Sequence, residues 1–227
     1  MILIFDLDET IYDEKDFIFG GFSAVSKYLK NNYGLDDKKT LSFMIKKLKL
    51  TRNNIFDSLL NENKIYSAKL IKKCVSIYRH HKPNISIYND ARKFLETFKE
   101  IPKYILTDGN KLVQNSKIIS LNLDKYFKKC LITHRYGMEN SKPSTYCFNK
   151  IAQYENVQPN DIVYIGDDPR KDFVNIKKEG FKTIRLLRGS NKNLALESSF
   201  EADVVVNNYE ELTSYINKLY ANKKKKS

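Results

Sequence analysis

A chain of 227 residues, 41% hydrophobic and 30% charged, has room for one sizeable core and a smaller appended domain, in the ordinary composition of a globular protein. No apolar run approaches the ~20 residues that span a bilayer, and the first apolar stretch is short and lacks a basic segment before it, so a cytoplasmic protein without a membrane partner is expected. The net charge of +13 suits an anionic partner, but no helix-turn-helix, zinc-finger or RNA-recognition signature accompanies it, so no specific nucleic acid is expected.

The chain opens with Ile2-Leu3-Ile4-Phe5, which reads as a strand buried on both faces, like the central strands of a parallel sheet. Asp6 and Asp8 follow, one residue apart, and then the hydroxyl of Thr10. A chain leaving the sheet at Asp6 puts both acids beyond the carboxyl end of the strand, where a doubly wound sheet places its ligands. Two neighbouring carboxylates are costly to ionise together, so a divalent ion, a cationic partner or a shared proton is implied.

From about Phe17 to Asn84 the apolar residues recur at helical spacing. One helix is expected from Phe22 to Tyr33, stopped by Gly34, and a second after Asp36-Asp37 carrying Leu41, Met44, Ile45 and Leu48. Two more are expected over Asn54–Asn61 and Ser67–His80, with Pro83 closing the stretch. Residues 14–84 hold 15 Lys and Arg against 6 Asp and Glu, so this segment is basic. The remainder alternates strand and helix. A helix through Ala91, Phe94, Leu95 and Phe98 precedes the strand Tyr104-Ile105-Leu106, and a helix through Leu112, Ile118 and Ile119 follows it. The strand Cys130-Leu131-Ile132 leads by a loop to Lys142-Pro143 and a helix ending near Tyr154. Strands at Ile162–Ile165, Thr183–Leu186 and Asp203–Val206 complete the series before a helix over Tyr209–Leu219. The expected organisation is an α/β core of residues 1–13 and 85–222 built on a doubly wound, Rossmann-like parallel sheet. A small α-helical domain at 14–84 interrupts it, and a basic tail occupies 223–227. Cys74, Cys130 and Cys147 lack metal-ligand spacing and read as free thiols, while His80, His81 and His134 read as surface or structural residues.

The polar residues at the strand ends form one set. Asp6 and Asp8 follow the first strand and Thr107 the second; Lys142 lies after the third, and Asp167, Asp168 and Asp172 after the fourth. All lie toward one rim of the sheet. Acids, a lysine and a hydroxyl converging there describe a site for a divalent cation and a phosphate. Hard oxygen ligands suit Mg²⁺, and lysine supplies a point positive charge. Asp108-Gly109-Asn110 can lend backbone or amide donors to the phosphate, or can simply start the next helix.

In this order the residues resemble the four motifs of the haloacid dehalogenase-like hydrolases. Phe5-Asp6-Leu7-Asp8-Glu9-Thr10 is similar to the first and Ile105-Leu106-Thr107 to the second. Ser141-Lys142-Pro143, where Pro can begin a helix, is similar to the third. Ile165-Gly166-Asp167-Asp168-Pro169-Arg170-Lys171-Asp172 is similar to the fourth. The resemblance implies that residues 14–84 are a cap over the site. It further implies Asp6 as nucleophile, Asp8 as general acid and base, and Thr107, Lys142, Asp108 and Gly109 as the phosphate-binding set. Mg²⁺ would be held by Asp6, the Asp8 main-chain carbonyl and Asp167, with Asp168 in its outer shell and Asp172 either there or orienting Lys142. The expected activity is Mg²⁺-dependent hydrolysis of a small phosphorylated metabolite through an aspartyl-phosphate, by a monomer or homodimer. Transfer to a second hydroxyl, as in a phosphomutase, uses the same residues and stays open. A metal-independent dehalogenase has no use for Asp8, and a receiver-type signalling domain places its nucleophile after the third strand. A nucleic-acid-binding protein without catalysis is disfavoured by the intact acids.

Overall fold

Among the described residues six short strands, joined by five crossovers, order themselves in the computed structural model as β3-β2-β1-β4-β5-β6, every neighbouring pair parallel. They are β1 (Ile2–Phe5), β2 (Lys103–Thr107), β3 (Lys129–Ile132), β4 (Ile162–Gly166), β5 (Lys182–Leu186) and β6 (Val204–Val206). The doubly wound α/β architecture is therefore present, and β1 is central. The structure describes residues 1–224, and the last residues of the expected basic tail lie outside that range. No helix among the described residues is long and apolar enough to cross a membrane.

The chain divides into two units, Met1–Glu14 with Ser86 onward, and Lys15–Ile85. In the first, alternation along β1 sends its side chains to opposite faces. Ile2 and Ile4 join Tyr104, Leu106, Tyr164, Phe148, Phe173 and Ile176 in one buried cluster. Phe148 comes from α7 (Tyr146–Glu155), Ile176 from α8 (Val174–Lys178). Phe5, pointing the other way, meets the edges of Phe94 and Phe127, each with ring centroids 5.8 Å away. Phe94 lies on α5 (Asn89–Thr97) and in turn touches Tyr209 of α9 (Tyr209–Lys224) at 5.4 Å. The Tyr209 hydroxyl donates to the Thr10 carbonyl at 2.9 Å, so α9 fixes the turn that follows β1.

The second unit is all helical: α1 (Glu14–Tyr33, its first residue belonging to the other unit), α2 (Asp37–Leu50), α3 (Ile55–Glu62) and α4 (Ala68–His80). Its core is Ile18, Phe22, Val25 and Leu29 with Met44, Ile55, Leu59, Leu60, Leu70 and Cys74. Asp36 caps α2 by accepting from the Lys39 amide at 2.8 Å, and Ser67 caps α4 by accepting from the Leu70 amide at 3.1 Å. The three cysteines are free, and burial pushes their thiols up to about 11, 12 and 11 for Cys74, Cys130 and Cys147.

Three boundaries differ from expectation. The first helix begins at Glu14 rather than Phe22, because Gly20-Gly21 does not break it. A β-carbon at Gly21 would lie 2.4 Å from the Tyr78 ring, so the glycine admits the close approach of α4 instead. The last helix runs to Lys224 instead of Leu219. Pro143 does not begin a helix, since α7 starts at Tyr146.

Substituting Gly21 by Ala opposes two effects. Helix propensity improves by about 1 kcal/mol, whereas forcing an extra carbon into packed surroundings costs about 1–3 kcal/mol. Net destabilisation of the helical unit is expected, seen as a lowered midpoint in chemical denaturation. A higher midpoint would mean that the Tyr78 ring moves aside freely.

Candidate active site

The β1 ladder runs one residue past the strand, with the Asp6 amide donating to the Ile165 carbonyl at 2.8 Å. The chain then turns, and the Ile11 amide donates to Leu7 at 3.0 Å. Within this turn Glu9 takes a left-handed φ of 59°. By alternation Asp6 faces the same side as Ile4, whose partner across β4 is Tyr164. On that side lies the buried ammonium of Lys142. It donates to Asp6 at 2.8 Å, to Asp172 at 2.7 Å and to the Tyr164 hydroxyl at 2.9 Å. These acceptors match the three donors of an ammonium. Burial alone would lower the pKa of Lys142, but the charges of Asp172 and Asp6 raise it well above its ordinary value.

The bridge to Lys142 and the nearby charge of Lys171 do not balance the acids. Asp6, Asp167 and Asp172 are all buried, and each offers an oxygen within 4.8 Å of the others, a grouping able to hold a metal ion. Burial first, and then the charge of Asp172, push Asp6 up to about 6 despite the bridge to Lys142. Asp167 is pushed up to about 8 by burial, then by the charges of Asp6 and Asp172. Asn191 donates to Asp167 at 2.8 Å, and the Asp168 amide donates to Asp172 at 3.0 Å. Gly166 makes room for this packing: a β-carbon there would lie 2.4 Å from an Asp172 carboxylate oxygen.

Asp8 points elsewhere. Its Oδ1 accepts from Lys117 at 2.7 Å and from the Tyr12 hydroxyl, and its Oδ2 accepts from Gln114 at 2.9 Å. The Gln114 amide also donates to the Thr107 hydroxyl at 2.6 Å. Burial would raise the Asp8 carboxyl, but the charge of Lys117 and the hydrogen bonds of Lys117, Tyr12 and Gln114 hold it below the ordinary value. Gln114 and Lys117 lie on α6 (Lys111–Ser120), three residues apart and so on one face. Neither was selected from the sequence, nor were Tyr12, Tyr164 or Asn191. Two polar residues at helical spacing just after Thr107 were the available signal for the first pair.

The other expected residues fall as follows. Asn110 caps α6, its side chain accepting from the Leu112 and Val113 amides. The Asp108 carboxylate accepts from the Thr133 hydroxyl at 2.7 Å and the Lys142 amide at 3.1 Å, with the Lys171 ammonium 3.6 Å away. It thus secures the loop carrying Lys142, and only backbone donors of Asp108 and Gly109 suit an anion. Asp168 is engaged by the Arg170 guanidinium at 2.7 and 2.8 Å, away from the acid cluster. Asp172, expected in an outer shell or as the residue orienting Lys142, accepts from Lys142 at 2.7 Å and lies within the cluster itself.

The protein is thus a doubly wound parallel α/β sheet with buried acids, a lysine and a threonine at the ends of its strands. Residues 3–186 match the haloacid dehalogenase-like hydrolase family, and the chain belongs to it. It is 24% identical over 228 residues to a glyceraldehyde 3-phosphate phosphatase of Methanocaldococcus jannaschii, covering 96% of this chain and 97% of that one. It is 28% identical over 213 residues to the enzyme of the same name from Pyrococcus furiosus, covering 90% and 88%. The human N-acylneuraminate-9-phosphatase is 24% identical over 200 residues, covering 79% of each chain. Among solved structures, a putative phosphatase from Clostridium difficile has a TM-score of 0.68 at 20% identity, covering 94% and 97%. The magnesium-bound putative hydrolase YfnB of Bacillus subtilis has 0.67 at 19%, covering 95% and 98%.

The raised acids make stability depend on pH. Folding lifts Asp6 from 3.8 to about 6 and Asp167 from 3.8 to about 8, so the native state binds protons that the unfolded chain releases. Stability from these groups is full below 3.8 and falls as pH rises toward 8. The carboxyls held low, Asp8, Asp108 and Asp168, act only below their ordinary value of 3.8. Without divalent ions, the melting temperature should therefore fall between pH 6 and pH 8. Added Mg²⁺ should raise it most at the upper end, where it need not displace protons. A metal-free melting temperature that rises across this range would contradict the assignment.

Proposed function

We propose that the chain is a Mg²⁺-dependent phosphatase that hydrolyses the phosphate monoester of a small metabolite through an aspartyl-phosphate on Asp6. The observation that carries this reading is the excess of negative charge around Lys142: three buried carboxylates, two of them raised even though Lys142 bridges Asp6 and the charge of Lys171 also acts on it. Oxygen ligands of this kind fit a hard divalent cation. Asp6, Asp167 and Asp172 would hold it, with the Asp8 carbonyl added by family resemblance, and it would offset the charge of the phosphoryl oxygens.

The protein's own groups then divide the chemistry. Lys142 holds Asp6 at Oδ1, orienting the carboxylate for attack on phosphorus. The bond from Asp6 oxygen to phosphorus forms as the ester P–O bond breaks, and Asp8 delivers a proton to the departing oxygen. Water next attacks the phosphoryl group, Asp8 takes its proton, and inorganic phosphate leaves with the Asp6 carboxylate restored. The Thr107 oxygen already accepts from Gln114 and donates only at 3.5 Å to the Asp108 carbonyl. Its hydrogen is available to a phosphoryl oxygen. In the free site Asp8 rests as the carboxylate because its carboxyl is held low, so the proton it delivers is taken up as the phosphate ester binds. A phosphate dianion beside it raises its proton affinity for the first step.

By the family resemblance, residues 15–85, inserted directly after the first motif, would be the cap that selects the leaving group. Their basic composition suits an anionic substrate. The relatives named for glyceraldehyde 3-phosphate and N-acylneuraminate 9-phosphate direct the search to small sugar-like phosphates.

Phosphate release over a panel of phosphometabolites with Mg²⁺ tests the reading. Asp6→Asn should fold yet lose at least about 10³-fold in turnover, and excess chelator should abolish wild-type activity. Undiminished release by that variant would sink the mechanism. Asp8→Asn should cost alkyl phosphates more than p-nitrophenyl phosphate in the first step, because an acidic phenol needs little protonation. With the phenyl ester a burst of phenol should precede slow turnover. Equal losses without a burst would remove Asp8 from proton transfer.

A further inference from the structure

Lys117 is an unusual residue to find inside a protein. Its side chain is 4% exposed, and a buried ammonium is costly unless it is paired and hydrogen-bonded. Its partner is Asp8, whose Oδ1 it meets at 2.7 Å. The same Oδ1 accepts from Tyr12, whose ring lies 5.9 Å from the Lys117 ammonium. Oδ2 accepts from Gln114 alone among these donors. A carboxylate offers about four acceptor positions, so Oδ1 is saturated and Oδ2 keeps capacity for one more partner. Gln114 also grips Thr107, which ties Asp8 and Thr107 to one amide. Residues 8, 12, 107, 114 and 117 all belong to the unit formed by Met1–Glu14 and Ser86 onward, so the bonds named above lie within one body.

Resting on the phosphatase reading above, we propose that Lys117 is a positioning residue that locks Asp8 through Oδ1 and presents Oδ2 as the oxygen exchanging protons with the leaving group and with water. Lys117 touches neither substrate nor phosphorus in this role; it acts through Asp8. Without it the Asp8 side chain regains rotation, and proton transfer loses its alignment to the reacting oxygens. A misplacement of ~1 Å can cost about 10²-fold in rate.

The test is a double-mutant cycle with p-nitrophenyl phosphate and Mg²⁺, on wild type, Lys117→Met, Asp8→Asn and the double variant. Lys117→Met keeps length and volume while removing the donor. Its kcat should fall about 10- to 100-fold, with KM changed less than about threefold. Asp8→Asn should fall about 10²- to 10⁴-fold. The double variant should be no slower than Asp8→Asn, because a residue acting through Asp8 has nothing left to position. A crystal structure of Lys117→Met should show the Asp8 carboxylate in a changed orientation.

Losses that multiply, a purely KM effect, an unmoved Asp8 or wild-type turnover in Lys117→Met would each overturn the proposal. Should Lys117→Met fail to fold, Lys117→Gln retains a donor and carries the same cycle, with a smaller loss expected. Asp6→Asn run alongside separates the two readings. Its inactivity beside a fully active Lys117→Met refutes only the role of Lys117, whereas an active Asp6→Asn refutes the aspartyl-phosphate pathway.

Discussion

The buried ammonium of Lys142 is the constraint around which the catalytic end of the sheet is arranged. It is shared by Asp6 from the end of β1, Asp172 from the loop after β4 and the hydroxyl of Tyr164 within β4. Removing such a cation would leave carboxylates buried without compensation, which is among the most costly changes a protein interior can suffer. The surrounding loop is built to keep it in place. Asp108 holds the Lys142 amide, and Gly166 leaves the space that Asp172 fills.

Two acids one residue apart end up in opposed environments. Asp6 lies with Asp167 and Asp172, where burial and like charges raise its carboxyl. Asp8 lies toward α6, where Lys117 and two further donors outweigh burial and lower it. The turn between β1 and α1 produces this split, since it aims the two side chains at different neighbours. Carboxyls whose environments push their proton affinities apart are suited to different tasks, as the proposed attack on phosphorus and proton transfer require.

Much of this was legible along the chain. The apolar run at Ile2–Phe5 marked a central strand, and the alternation of strand and helix after Tyr88 marked a parallel sheet. Because strands of such a sheet point the same way, any polar residue just after a strand falls on one rim, so Asp6, Thr107, Lys142 and Asp167 could be grouped before their distances were known. The helical unit was legible from its spacing, but the start of its first helix was not, since that helix runs from Glu14 through Gly20-Gly21. Local propensity treats a glycine pair as a break, whereas here Gly21 yields to the Tyr78 ring across the helix interface.

The sequence by itself determined the order of strands and helices, the insertion after the first motif and the set of polar residues at the strand ends. These follow from periodicity and from the polarity of a parallel sheet, both local or topological properties. Only the tertiary structure decided which of those polar groups meet. Asp172 joins the acid cluster and Asp168 turns to Arg170, although both follow the same strand, because a carboxylate's surroundings depend on side-chain direction and not on position in the chain. Lys117 and Gln114 became part of the site for the same reason. A lysine on a helix is ordinarily solvated, and its helical spacing from Gln114 does not by itself reveal that this face closes on Asp8, more than a hundred residues earlier.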